Sequence, residues 1–324
     1  AIGGVLYVNP DSYYSGEGSE IELGTIYNSN YQGITTNLGI KGGSNKLSYL
    51  VQASLVDNKD FNTPDGEVEN TYFKNSDLKF GLGYTSDNFI SDLRVNINDS
   101  EIGIPHGEEN HDDHDDHDDH DDDDHDEDDH DDDDHDEDHD EDHEEHEEEK
   151  SYQDLTNTMI SWKNRFLFEN RSEIEFTLGF SSNKRKEFGH HEEEGHDDHD
   201  DDDHDDDDHD EDHDDHDEHG EGPALNMDLE TTTFDLKYIF PKSEKLELVF
   251  GTNILSQTNT NYGEEELIPD ADKRDFGVYA LSHIHASKWD VLIGLRTDNR
   301  KITTSDFDKN YNSLNASLGF KRDF

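Results

Sequence analysis

Alternation of apolar and polar residues begins at Ile21 and returns along most of the chain. Ile21, Leu23, Thr25 and Tyr27 fall on one parity, while Glu22, Gly24 and Asn28 take the other. A period of two marks a strand with two unlike faces. The pattern recurs in Ile34/Thr36/Leu38/Ile40, Leu47/Tyr49/Val51/Ala53/Leu55, Leu78/Phe80/Leu82/Tyr84 and Phe89/Leu93/Val95/Ile97. It continues in Ile160/Trp162/Phe166/Phe168, Ile174/Phe176/Leu178/Phe180, Phe234/Leu236/Tyr238/Phe240 and Leu246/Leu248/Phe250/Ile254. Phe276/Val278/Ala280/Ile284, Trp289/Val291/Ile293/Leu295 and Leu314/Ala316/Leu318/Phe320 complete it. These sets predict about twelve strands of roughly ten residues.

The opposite parity is small or polar, as in Lys79/Gly81/Gly83, Asp92/Arg94/Asn96, Glu175/Thr177/Gly179 and Asp290/Gly294/Arg296. Alternation alone does not separate a membrane barrel from a soluble sandwich, whose inner face is equally apolar. Connection lengths carry the distinction. Short turns (Gly42–Asn45, Thr85–Asp87, Glu169–Ser172, Pro241–Glu244, Ala286–Lys288) alternate with longer loops (Asn58–Phe73, Ile102–Tyr152, Lys186–Asp228, Asn259–Asp272, Thr303–Asn310). Aromatics at strand ends, among them Tyr27, Tyr84, Trp162, Phe168, Phe240 and Trp289, suit two interfacial girdles. The expectation is an all-β, transmembrane, antiparallel β-barrel with periplasmic turns and long external loops. A soluble all-β adhesin or repeat sheet is the alternative.

Two of the long loops carry the chemistry. His111–Glu149 contains only His, Asp and Glu, and a second run, interrupted only by Gly195 and Gly220, spans His190–Glu221. Of the 87 acidic residues, 31 lie in 108–149 and 21 in 190–221, so the formal charge of −62 is local and the rest of the chain is mildly acidic. Such a surface concentrates cations and disfavours nucleic acid. Like-charge runs are commonly disordered and solvated, and these loops are expected to be so. Acidic filler, however, needs no histidine, and imidazole distinguishes Zn²⁺ or Ni²⁺ from the oxygen-seeking Ca²⁺. His111, His114, His117, His120, His125 and His130 are candidate ligands in the first run, and His196, His199, His204 and His209 in the second. Overlapping His-x-x-His and His-x-x-Asp sets offer many weak, exchangeable sites, which suits delivery. Protons compete for the same nitrogens, so capture should fade as pH falls. A polyanionic spacer without a ligand is the plain alternative.

There is no cysteine, so thiolate sites and disulfides are excluded. No run of about eighteen apolar residues exists, which excludes a transmembrane helix and leaves a β-barrel open. With no Cys nucleophile, no Gly-rich phosphate loop and no His-Glu-x-x-His helix, the chain reads as other than an enzyme.

The opening Ala1-Ile2-Gly3-Gly4-Val5-Leu6-Tyr7-Val8 resembles the strand that closes the plug of TonB-dependent outer-membrane receptors, with Tyr7 where Asn is usual. Tyr311–Lys321 looks like a mid-barrel strand of the same receptors. The resemblance implies that residues 1–18 end a plug and connect it onward, and that 19–324 form about twelve strands of a barrel of about twenty-two. The chain then reads as a fragment. Histidine- and aspartate-rich external loops at 102–152 and 186–228 resemble the zinc-uptake branch. What this implies is energised import of a divalent transition metal across the bacterial outer membrane, with membrane lipid and the inner-membrane TonB complex as partners. A metal-buffering or adhesive surface protein without transport remains a rival, as does a receptor for another metal or a siderophore.

His283 and His285 lie outside the runs. Their parity opposes Phe276/Val278/Ala280/Ile284, so both are expected to face the lumen beside the short turn at Ala286–Lys288. They are candidate metal ligands on an exit route, or hydrogen-bonding partners of the plug. His106, beside Pro105, is open to the same two readings.

Overall fold

The structure, a computed structural model, describes residues 13, 17–64, 66–105, 150–189, 222–263, 265–286 and 288–322. The described residues form strands β1 (Gly18–Asn28), β2 (Gly33–Gly43), β3 (Leu47–Asn58), β4 (Phe61–Thr63), β5 (Gly66–Val68), β6 (Phe73–Thr85) and β7 (Phe89–Gly103). Beyond the first run come β8 (Tyr152–Leu167) and β9 (Glu173–Phe188), and beyond the second β10 (Leu225–Ile239), β11 (Leu246–Asn261), β12 (Ala271–Ala286), β13 (Trp289–Thr304) and β14 (Asp308–Arg322). Twelve strands make one antiparallel sheet in which each pairs with its sequence neighbours, from β1 at one edge to β14 at the other. The remaining two, β4 and β5, pair as a small hairpin within the β3–β6 connection.

Register follows the side chains. Leu78 faces Ile97, Phe80 faces Val95 and Leu82 faces Leu93; Val95 and Leu93 then meet Ile160 and Trp162 on β8. A slip of one residue would turn these rows over, so the apolar parity pins the pairing. Among the described residues nothing packs over them: Leu78, Leu82, Trp162 and Leu295 stay exposed, and the only buried apolar residues are Leu50, Leu225 and Met227. A soluble sandwich would cover this face with a second sheet. A single layer with one continuous apolar face needs an apolar medium instead.

The apolar band has a sharp limit on one side. Along β7 the outward row runs Phe89, Ser91, Leu93, Val95, Ile97 and then turns to Asp99 and Glu101. On β9 it runs Ile174, Phe176, Leu178, Phe180 and then Ser182, Lys184, Lys186. On β12 Phe276 follows Arg274 and Asp272. Apolar stretches of about nine residues match the span of a tilted membrane strand. Strands of up to 16 residues therefore run beyond the bilayer, on the side from which both His/Asp runs depart. At the opposite edge Phe89 lies 4.6 Å from Phe166, with Tyr84 6.0 Å from Phe89 and Phe166 6.3 Å from Phe176, an aromatic girdle. Two of the short turns there are held by a serine. Ser44 and Ser243 accept the Leu47 and Leu246 amides through Oγ at 3.3 and 2.9 Å.

Three expectations change. The strands reach 11 to 16 residues rather than about ten, because they continue past the apolar band. The Asn58–Phe73 loop is partly ordered as β4 and β5, whose three-residue strands are too short to show a period. The connection expected as a loop over Thr303–Asn310 is a tight turn at 305–307, since β13 runs to Thr304 and β14 starts at Asp308. The proposed plug strand at 1–8 lies outside the described residues.

The band makes a prediction. In the full-length protein folded in lipid, Leu93→Arg should cost about 2–4 kcal/mol of unfolding free energy, and Asp99→Arg less than about 1 kcal/mol. Equal losses in denaturant titrations would misplace the edge of the band.

Candidate metal centre

His106, His111, His114, His117, His120, His125, His130, His196, His199, His204 and His209 all lie outside the described residues. Their anchor points do not. Pairing of β7 with β8 runs out to Gly103 opposite Tyr152, and the Ile104 amide still donates to the Ser151 carbonyl at 3.0 Å. Asn70, buried and at φ 57°, clamps that root: its Nδ2 donates to the carbonyls of Ile104 at 2.6 Å and Ser151 at 2.7 Å. Asparagine tolerates the left-handed backbone that this reach requires. The second run leaves β9 beyond Glu187, which faces Leu225 on β10. Tyr152 stacks on Phe188 with centroids 4.6 Å apart, so both runs are rooted on adjacent strands at the same edge.

The face opposite the apolar band is polar and cross-linked. Arg165 reaches Glu175 at 2.6 Å, and Lys237 approaches the same carboxylate at 3.8 Å. Arg296 binds Asp298 at 2.6 Å, and Arg300 binds Asp275 at 2.7 Å. Tyr13, from the segment before β1, lies on this face. Its hydroxyl donates to Asp92 at 2.6 Å and the Arg94 guanidinium sits 4.5 Å from its ring. Gly81 and Gly83 make room for that ring, since a Cβ at either would come within 3.0 to 3.1 Å of it. Burial, then the Asp92 hydrogen bond, hold the Tyr13 phenol pKa above its usual value, so it stays a neutral donor. Nothing in the alternating pattern marked Tyr13, whose partners lie far along the chain.

His283 and His285 stand on this same face at the short-turn end of β12. Glu247 of β11 pairs with His283, and Asp290 of β13 pairs with His285, so the four residues form a patch over three adjacent strands. The imidazole centroids are 4.0 Å apart. One ligand atom each from Glu247, His283 and His285 lies within 4.8 Å of the other two. His285 Nδ1 is 2.6 Å from Asp290 Oδ1. His283 Nε2 is shut off from solvent and makes no hydrogen bond; Asp290 Oδ1 is 3.5 Å from it. Parity located the two histidines, but only the sheet register brings Glu247 and Asp290 to them.

No known family model matches the sequence, and no curated protein does. Solved structures do match. The FrpB iron transporter from Neisseria meningitidis superposes with a TM-score of 0.63 at 12% identity, over 95% of this chain and 44% of that one. The copper transporter OprC gives 0.60 at 10% identity, over 98% and 44%. The alcaligin outer-membrane receptor FauA from Bordetella pertussis gives 0.54 at 9% identity, over 90% and 39%. At such identities the likeness is one of fold. That fold is the transmembrane antiparallel β-barrel of TonB-dependent receptors. The chain spans less than half the length of these structures and supplies a run of twelve consecutive strands.

The polar wall yields a prediction. Glu175 has a side chain only 10% exposed, so Arg165→Ala leaves a desolvated carboxylate and should cost about 1–3 kcal/mol in urea unfolding. Arg165→Ala combined with Glu175→Gln should cost less than the single change; equal costs would mean the carboxylate is not the source.

Proposed function

We propose that this chain is barrel wall from an outer-membrane receptor that imports a divalent transition metal, zinc first among them, and that the two His/Asp runs face outward and capture the ion. The observation that carries this reading is the common root of the runs. Two separate stretches of imidazole and carboxylate leave neighbouring strands at the same edge of one sheet, beyond the apolar band. A spacer has no reason to be doubled over one spot, whereas a capture device gains local concentration from it.

Histidine nitrogen with carboxylate oxygen suits Zn²⁺, Ni²⁺ or Cu²⁺ and gives Ca²⁺ no advantage. Weak overlapping sites exchange quickly, so an ion held there remains available to the lumen. Import against a gradient needs energy, which the resemblance to TonB-dependent receptors assigns to a moving plug and the inner-membrane TonB complex. The chain's own residues supply no catalysis in this scheme; the metal is cargo. One feature favours a second reading: iron and siderophore receptors are among the matched folds, so a metal chelate is the rival cargo.

Deleting residues 107–149 and 190–221 should lower zinc uptake severalfold when the metal is scarce, have little effect when it is abundant, and leave the barrel folded. Radiometal uptake by cells carrying the full-length receptor is the measurement. Uptake that is unchanged at scarce metal would sink the capture role.

A further inference from the structure

We propose that Glu247, His283 and His285 form a binding site for one divalent transition-metal ion on the inner wall, at the short-turn end of the sheet. The site is separate from the His/Asp runs, whose roots lie at the opposite ends of the strands. Three observations carry it. Two imidazoles and a carboxylate from two paired strands converge to within 4.8 Å, close enough for one ion to bridge all three with modest side-chain movement. His283 Nε2 is solvent-shielded and without a hydrogen bond, a state that costs free energy unless the nitrogen has a ligand. The Nδ1 of His285 is engaged by Asp290 at 2.6 Å, which fixes the ring and leaves its other nitrogen for a metal, the usual role of a carboxylate behind a ligating histidine.

The donor set names the ligand class. Two imidazole nitrogens and one carboxylate oxygen match the open zinc sites that keep a fourth position for water or an incoming group. Ca²⁺, which requires six or more oxygens, finds too few here. Lys242 Nζ stands 3.4 Å from Glu247 and must swing aside when the ion binds. That competition weakens the site, and a weak site releases its ion. The transport role rests on the import reading: among the described residues this would be the ligand set at the periplasmic end of the wall. The binding itself does not depend on that reading.

The test is diethylpyrocarbonate labelling of the full-length protein in detergent across a Zn²⁺ titration, with each histidine read from its own peptides by mass spectrometry. The expected result is that Zn²⁺ protects His283 and His285 together with one midpoint, while Ca²⁺ protects neither. Glu247→Gln should raise that midpoint at least tenfold, and Asp290→Asn about 10- to 100-fold. The same digest reports the histidines of the runs. If those are protected while His283 and His285 react at their metal-free rate, the wall site is overturned and the import reading survives. If the pair is protected and the runs are not, the wall site holds and capture by the runs fails. Protection of the pair that is indifferent to Glu247→Gln would also overturn the three-ligand site.

Discussion

A hydrocarbon medium offers no hydrogen bonds, so every peptide group inside the apolar band must find its partner in a neighbouring strand. The rest of the structure depends on that constraint. It explains why each of twelve strands pairs with its sequence neighbours in continuous register, and why the exposed face can be apolar without a second layer above it. It also explains where irregularity is allowed. The hairpin β4–β5, the Asn70 clamp and the roots of both runs all lie beyond the band, where water can satisfy what the ladder does not.

The same constraint gives the other face its freedom. Once the backbone is satisfied, the inward side chains need only satisfy one another. They do so as cross-strand pairs, Arg165 with Glu175 and Arg300 with Asp275, and as a pair along one strand, Arg296 with Asp298. In these pairs cations and carboxylates neutralise each other locally. The His283/His285 patch departs from that rule. It gathers two imidazoles with two carboxylates and leaves one imidazole nitrogen without a hydrogen bond. His283 Nε2 is one of several buried polar atoms among the described residues without a hydrogen bond, and it differs from the others in standing beside a second imidazole and a carboxylate.

Division of labour follows the strand axis. At one end the strands outrun the bilayer and carry long acidic connections; at the other, serine turns and an aromatic girdle hold them short. In the proposed function this axis is the path of the ion, gathered by the runs at one end and released past the His283/His285 set at the other.

What the sequence by itself determined was everything with a period. The twelve strands, the apolar face and the inward aim of His283 and His285 follow from parity, because successive side chains of a regular strand point to opposite faces, and the short turns at Gly42–Asn45 and Ala286–Lys288 follow from the gaps between the periodic stretches. The His/Asp runs were equally legible, since their chemistry is compositional. Only the tertiary structure decided which residues from distant strands meet. Glu247 reaches His283 through β11–β12 pairing and Asp290 reaches His285 through β12–β13 pairing; Tyr13 finds Asp92 across much of the sheet; and Asn70 closes the root of a loop that starts more than thirty positions later. Register between strands is a cooperative outcome of many side-chain rows and turn lengths, and no local window of sequence contains it.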